Sequence, residues 1–177
     1  MKKFFVFLFI GVIALAVAPQ GALATALPIA NPSFEADVPD STWVYLNGNP
    51  RQLRGQITDW TLSSPANDAL GYANHGVHQF TAAEYPAGVP NGDNVAYVHD
   101  NSFISQVISG YSVIAGHVYT LEAMVGRRAS HASRDISYAL ELLAGNAQLA
   151  YLEGVPTAGT FELASLVYPA TQDLAGA

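Results

Sequence analysis

The stretch Pro90–Arg128, PNGDNVAYVHDNSFISQVISGYSVIAGHVYTLEAMVGRR, holds three apolar, β-branched segments separated by Asn-Gly, Asp-Asn and Ala-Gly. Glycine and asparagine accept the positive φ of tight turns, and segments this short between turns read as strands. Within Val118–Gly126, Tyr119, Leu121, Ala123 and Val125 alternate with Thr120, Glu122 and Met124, the period of a half-buried strand. The stretch therefore predicts the spine of an antiparallel all-β domain, with strands at Asn94–His99, Phe103–Ile108 and Val118–Gly126. Ile136–Leu143 repeats the alternation through Ile136, Tyr138, Leu140 and Leu142, and is expected to pair with Val118–Gly126 across the loop Arg127–Asp135. Ala144-Gly145-Asn146-Ala147 predicts a hairpin turn into Gln148–Leu152, and Phe161–Tyr168 a last strand.

Upstream, Leu27–Glu35 reads as an edge strand or its lead-in, Trp43–Leu46 and Gln56–Leu62 as short strands, and Val77–Thr81 as another. Ser63–Pro90, rich in Ser, Pro, Asn, Gly and Ala, reads as a long surface excursion around that last strand. Many short strands, no repeat and no internal linker predict one antiparallel β-sandwich or barrel.

Lys2 and Lys3, the apolar run Phe4–Val17 and the small residues Gly21–Ala26 make the three-part pattern of a secretory signal peptide. Cleavage is expected after Ala24 or Ala26, because 14 apolar residues fall short of the roughly 20 that span a bilayer. The division is thus a signal peptide over 1–26 and a single sandwich domain over 27–177, placed outside the cell or in the periplasm. Without the leader, five arginines face all 14 carboxylates, a net charge of −9. Such a surface repels nucleic acid and offers no basic patch to membranes. The absence of cysteine excludes disulfides, thiolate metal sites and cysteine nucleophiles.

A further set of motifs occurs in order: Asn31-Pro32-Ser33-Phe34-Glu35, Trp60, Pro90–Tyr97, Ile104-Ser105-Gln106-Val107-Ile108, Ala115–Leu121, Val125–Arg128 and Tyr138–Gly145. This order, over residues 29–168, resembles secreted bacterial proteins with a galactose-binding-like jelly roll of the carbohydrate-binding-module kind, found among exosortase-sorted extracellular proteins. The resemblance implies a jelly-roll sandwich. It also implies a closing strand pair after Tyr168 and a sorting segment that this sequence does not show, so a C-terminal truncation with an exposed N-terminal edge is expected. In such relatives the carboxylate after the Phe holds a structural calcium ion, which makes Glu35, helped by Asp37 and main-chain carbonyls, the metal candidate.

Trp43, Tyr45, Tyr72 and Tyr85 fall in or near loops, where aromatic faces stack on sugars; Trp60, Tyr97, Tyr119 and Tyr138 fall in strand patterns and read as core. Arg127 and Arg128, with His131, Arg134 and Asp135, could grip a carboxylate or uronic acid, or form a solvated loop. Gln106, among apolar neighbours, is suited to satisfying main-chain groups at a sheet margin. His75 and His78 lack the converging partners of a zinc site and read as exposed. No nucleophile elbow, zinc-protease motif, phosphate loop or dinucleotide fingerprint is present. Glu122 and Glu141, taken as lying on adjacent strands, are a carboxylate pair of no special weight. The sequence thus predicts a non-catalytic secreted module that binds extracellular carbohydrate or acts at the cell surface or matrix. A structural or adhesion protein, or a small polysaccharide hydrolase or lyase, are the alternatives.

Overall fold

The computed structural model describes residues 8–19, 25–37, 39, 52–63, 74–99, 102–134 and 136–174, with the strand path alone for 8–19 and 52–54. Its strands are β1 (Leu8–Pro19), β2 (Thr25–Leu27), β3 (Gln52–Arg54), β4 (Thr61–Leu62), β5 (His75–Gln79), β6 (Asn94–Val98), β7 (Ile104–Ser105), β8 (His117–Arg127), β9 (Tyr138–Ala144), β10 (Ala147–Gly154) and β11 (Thr160–Pro169). A 3₁₀ turn, Ala129–His131, follows β8. Every pairing between these strands is antiparallel. The protein is an all-β antiparallel sandwich of the jelly-roll kind.

One layer is a seven-stranded sheet in the order β11-β8-β1-β6-β5-β3, with β2 also on β1. The other is made of the β9–β10 hairpin and the β4–β7 pair. The alternation read in β8 holds: Tyr119, Ala123 and Val125 are buried, and Leu121 packs against the core. Ala123, Val125 and Leu121 meet Val77 from β5, Ala96 and Val98 from β6, and Ala164 and Leu166 from β11. From the opposite layer come Leu140, with Tyr138, Leu142, Ala150 and Leu152 packed around it.

Four expectations are corrected. The strand expected over Phe103–Ile108 is only the two residues Ile104–Ser105. Residues 118–126 do not pair with 136–143: β8 pairs with β1 and β11, while β9 pairs with β10 in the other layer. Both segments are amphipathic, and packing face to face across the core satisfies that pattern as well as pairing edge to edge. Glu122 and Glu141 are accordingly in different layers. The edge strand expected over Leu27–Glu35 is only Thr25–Leu27; beyond it Asn31 and Phe34 take φ of +44° and +64°, which no strand accommodates. The strand expected over Gln56–Leu62 shrinks to Thr61–Leu62, because Asp59 at φ +67° turns the chain. Trp43–Leu46 lies outside the described residues, and the apolar run Leu8–Pro19 is β1.

Candidate functional site

The two layers do not close completely. β9 is paired only with β10, so its other edge, facing the segment after β7, carries no strand partner among the described residues. A cavity of about 800 Å³ occupies this gap, within the range of small-molecule sites. Its floor is the inner face of the large sheet, Val98, Tyr119, Leu121 and Ala123; Leu27, Ile29 and Trp60 form one wall.

Strand alternation shows how the cavity reaches the surface. Leu140 and Leu142 point to the core, while Glu141 and Leu143 point to the outside, yet all four line the same cavity. The space therefore passes around the unpaired edge of β9 from interior to solvent. Of nine large apolar side chains left exposed among the described residues, five (Phe103, Val107, Tyr111, Leu143 and Tyr151) stand at its lips. A concentration of this kind marks a binding surface.

The walls are fixed by hydrogen bonds to main chain. Gln106 Oε1 accepts from Ala30 N at 2.8 Å, and its Nε2 donates to Ala30 O and Asp59 O at 3.0 and 2.9 Å. This is the margin-satisfying role read for it in the sequence. Tyr119 Oη accepts from Ile114 N at 2.9 Å and donates to Ser112 O at 3.3 Å, which holds the segment after β7 in place. Trp60 Nε1 donates to Asn31 O at 3.3 Å and its ring packs 5.7 Å from Phe34. Tyr138 lies across Gly154, where any Cβ would come within 2.6 Å of its hydroxyl. Burial, then the charge of Glu162, raises the Tyr138 phenol above its ordinary pKa. At the lip, Tyr151 Oη donates to Glu153 Oε2 at 3.2 Å. Desolvation, the charge of Glu153, that hydrogen bond and the charge of Glu141 raise its pKa too, so Tyr151 stays protonated.

Glu35 and Asp37 clamp the loop beside this wall. Glu35 Oε1 accepts from Asp93 N and Asn94 N at 3.0 and 2.8 Å. Asp37 accepts from Thr58 N, Thr58 Oγ1 and Asn31 Nδ2. Asn94 Nδ2 donates to Phe34 O at 3.0 Å and Asp37 O at 2.7 Å, while its Oδ1 is buried with no partner. Among the described residues no three His, Cys, Asp or Glu side chains gather for a metal ion.

The remaining sequence candidates disperse. Trp43, Tyr45, Tyr72 and Asp135 lie outside the described residues. Tyr85 is no loop-surface platform: it is 1% exposed, with ring centroids 4.9 Å from Phe80 and 4.5 Å from Phe161 in a satellite core. Arg128 lies 4.8 Å over the Phe80 ring, with Nε 3.9 Å from Glu84 and Nη2 3.5 Å from His78 Nδ1. Arg127 Nη1 donates to Arg134 O at 3.0 Å. The arginines thus brace the turn after β8, away from the cavity. His75 and His78, read as exposed, are 0% and 1% exposed on β5. His75 Nε2 meets Ser63 Oγ at 2.9 Å, and burial lowers its pKa.

These features define a β-sandwich enclosing an apolar, small-molecule-sized cavity that opens through one of its layers. Residues 25–176 match the HpiC1-like family, described as HpiC1 cyclase, and the chain belongs to that family. Among solved structures it is similar to a Stig cyclase, Fisc, from Fischerella sp. TAU in complex with (3Z)-3-(1-methyl-2-pyrrolidinylidene)-3H-indole. That likeness has a TM-score of 0.63 at 23% identity, over 82% of this chain and 79% of that one. A cyclase from Fischerella sp. TAU in complex with 4-(1H-indol-3-yl)butan-2-one gives 0.65 at 24% identity, over 84% and 80% of the two chains. At such identity the likeness shows the fold. No curated protein sequence matches the chain.

The family assignment overturns the carbohydrate-binding-module resemblance and, with it, the exosortase-sorted class, the non-catalytic reading and the glycan partner. The motifs behind that resemblance specify turns and strands of a jelly roll, which hosts unrelated functions, so they carried the architecture and misassigned the activity. The cavity residues Trp60, Tyr119 and Tyr138 looked like core because they sit on inward strand faces. No sequence signal separates an inward face that meets another layer from one that meets a void.

Proposed function

We propose that this protein is a cyclase, which binds an apolar small molecule in the cavity between its layers and closes a ring within it. The observation that carries the reading is the family match along residues 25–176. Ring closure is a reaction that such a cavity assists by shape. Leu121, Ala123, Leu140 and Leu142 leave a flexible ligand few extended conformations, and holding reacting ends together removes entropy from the barrier. The apolar walls exclude water from a reactive intermediate. Gln106 and Tyr119 do not touch the reacting atoms on this reading; they fix the walls. Tyr151 Oη, kept protonated, is the proton-bearing group at the lip, with Glu153 as its acceptor.

The neighbours' ligands make an indole-bearing molecule the first to test. Calorimetry should show 4-(1H-indol-3-yl)butan-2-one binding to the wild-type chain and not to Leu142→Trp, in which the indole of the new side chain fills the cavity. Mass spectrometry should then show loss of an indole bearing an unsaturated side chain to an isomeric cyclised product. A well-folded protein that neither binds the ketone nor converts any such substrate would refute the reading.

We also propose that calcium binds the loop at Glu35. The carbonyls of Phe34 and Asp37 converge on Asn94 Nδ2 while Glu35 holds the main-chain N–H of the same residue, and turning the Asn94 amide over would set its orphaned oxygen against the two carbonyls, an arrangement of oxygens that a cation would hold together. Two carbonyls, an amide oxygen and a carboxylate are the hard donors calcium takes. Bound there, the ion would tie the loop to β6 as a structural cross-link. Millimolar calcium should raise the melting temperature of the wild-type chain and leave Asn94→Leu unmoved; an equal effect of calcium and EDTA on the wild type would refute the site.

A further inference from the structure

The cavity's two ends differ in chemistry. Inside, the floor is Val98, Tyr119, Leu121 and Ala123, walled by Leu140 and Leu142; the Tyr119 hydroxyl is engaged by Ile114 N and Ser112 O, so this end offers a ligand hydrocarbon and a ring face and no charge. At the surface end, Glu141 and Glu153 are the only charged side chains that the described residues bring to the lining, and no Lys, Arg or His is among them. The two carboxylates share the outward face of the hairpin with Tyr151: β10 places Tyr151 directly opposite Glu141, and Glu153 two residues on. Gln148 Nε2 donates to Glu141 Oε1 at 3.2 Å and Tyr151 Oη to Glu153; among the described residues no cation pairs with either carboxylate, and each keeps acceptor capacity toward the opening. Independently of these charges, the rings of Phe103, Tyr111 and Tyr151 stand 61%, 45% and 49% exposed at the same lips. Exposed aromatic faces beside carboxylates are the surroundings that favour an organic cation, through the ring quadrupole and the charge together.

We infer that the site takes a lipophilic ligand carrying a positively charged nitrogen, an ammonium or iminium group, with its hydrocarbon body in the cavity and its charge at the Glu141–Tyr151–Glu153 lip. The inference rests on the cavity being the ligand site of the proposed cyclase, and adds what the ligand's solvent-facing end must be. A neutral ligand gains the apolar floor alone; an anion meets two like charges.

Three probes of one shape separate the contributions: 4-phenylbutylammonium, 4-phenylbutanol and 4-phenylbutanoate, titrated by calorimetry at low salt. Expected is binding of the ammonium about tenfold tighter than the alcohol, with the carboxylate weakest. In the double variant Glu141→Gln, Glu153→Gln the ammonium should fall to the affinity of the alcohol, whose own affinity stays within about twofold. Equal binding of ammonium and alcohol to the wild type, or an ammonium preference that survives the double variant, would overturn the inference while leaving the cavity as the ligand site. If none of the three binds and the indole ketone is also refused, the cavity reading fails and the inference falls with it. Far-ultraviolet circular dichroism of the double variant, expected unchanged since both side chains are exposed, keeps a folding defect from imitating loss of binding.

Discussion

Gly92 takes φ +60°, and a Cβ built there would lie on the Glu35 carboxylate. Glycine at this place is what allows Glu35 to reach the amides of Asp93 and Asn94. Gly92→Ala should therefore cost about 2–4 kcal/mol, from left-handed strain and two lost hydrogen bonds. In a Glu35→Ala background the same substitution should cost clearly less, because the clash is gone; denaturant melts of the four proteins would measure that coupling. His131 makes a second residue-scale prediction. Burial foremost, and then Arg134 and Arg128, lower its pKa from 6.5 to about 4, the remaining neighbours being Glu84, which opposes the shift, and Arg127. Between those values the unfolded chain binds a proton that the folded chain refuses. The stability tied to His131 is full above pH 6.5 and drains as pH falls toward 4, by at most about 3 kcal/mol. Melting temperatures between pH 7 and 4.5 should fall less steeply in His131→Gln; parallel curves would refute the assignment.

Among elements, β8 and β9 fall where their alternation places them, and β6, β10 and β11 fall where turns bound short apolar segments. Partners were not legible, since an amphipathic strand declares which side is apolar and says nothing about which edge is occupied. Hence β8 and β9 were read as neighbours and are instead opposed. The candidate site suffered from the same blindness, because Trp60, Tyr119 and Tyr138 differ from ordinary core residues only by the void beside them. Glu35 and Asp37 were reached through the resemblance, as metal ligands; the bonds their carboxylates make, to the main-chain amides of Asp93, Asn94 and Thr58, join distant parts of the chain and leave no local pattern to read. Tyr138 and Gly154 show how an element pair shapes the cavity: the ring needs the bare backbone opposite it. In Gly154→Ala the ring must leave its seat, and the cavity is where room exists. That variant should bind 4-(1H-indol-3-yl)butan-2-one about tenfold more weakly at nearly wild-type secondary structure, by calorimetry and circular dichroism.

At the scale of the molecule, β1 is the strand on which the large sheet depends. It pairs along β8 through nine residues and with β6 and β2 on its other side. A chain beginning at Thr25 would leave β6 and β8 without their common neighbour and present two strand edges. Such a chain should melt lower than the chain of 177 residues and self-associate with concentration in size-exclusion chromatography. An unchanged melting temperature and a single concentration-independent peak would show that β1 is dispensable. The unpaired edge of β9 acts on another property, the lifetime of a bound molecule. Because no ladder joins β9 to β7 among the described residues, the hairpin can swing outward without breaking a sheet hydrogen bond. Opening is then a local event, far less costly than unfolding. On the proposed reading, release of a guest is expected to follow this opening, and the amides of β9 and β10 should trade hydrogen for deuterium sooner than those of β8.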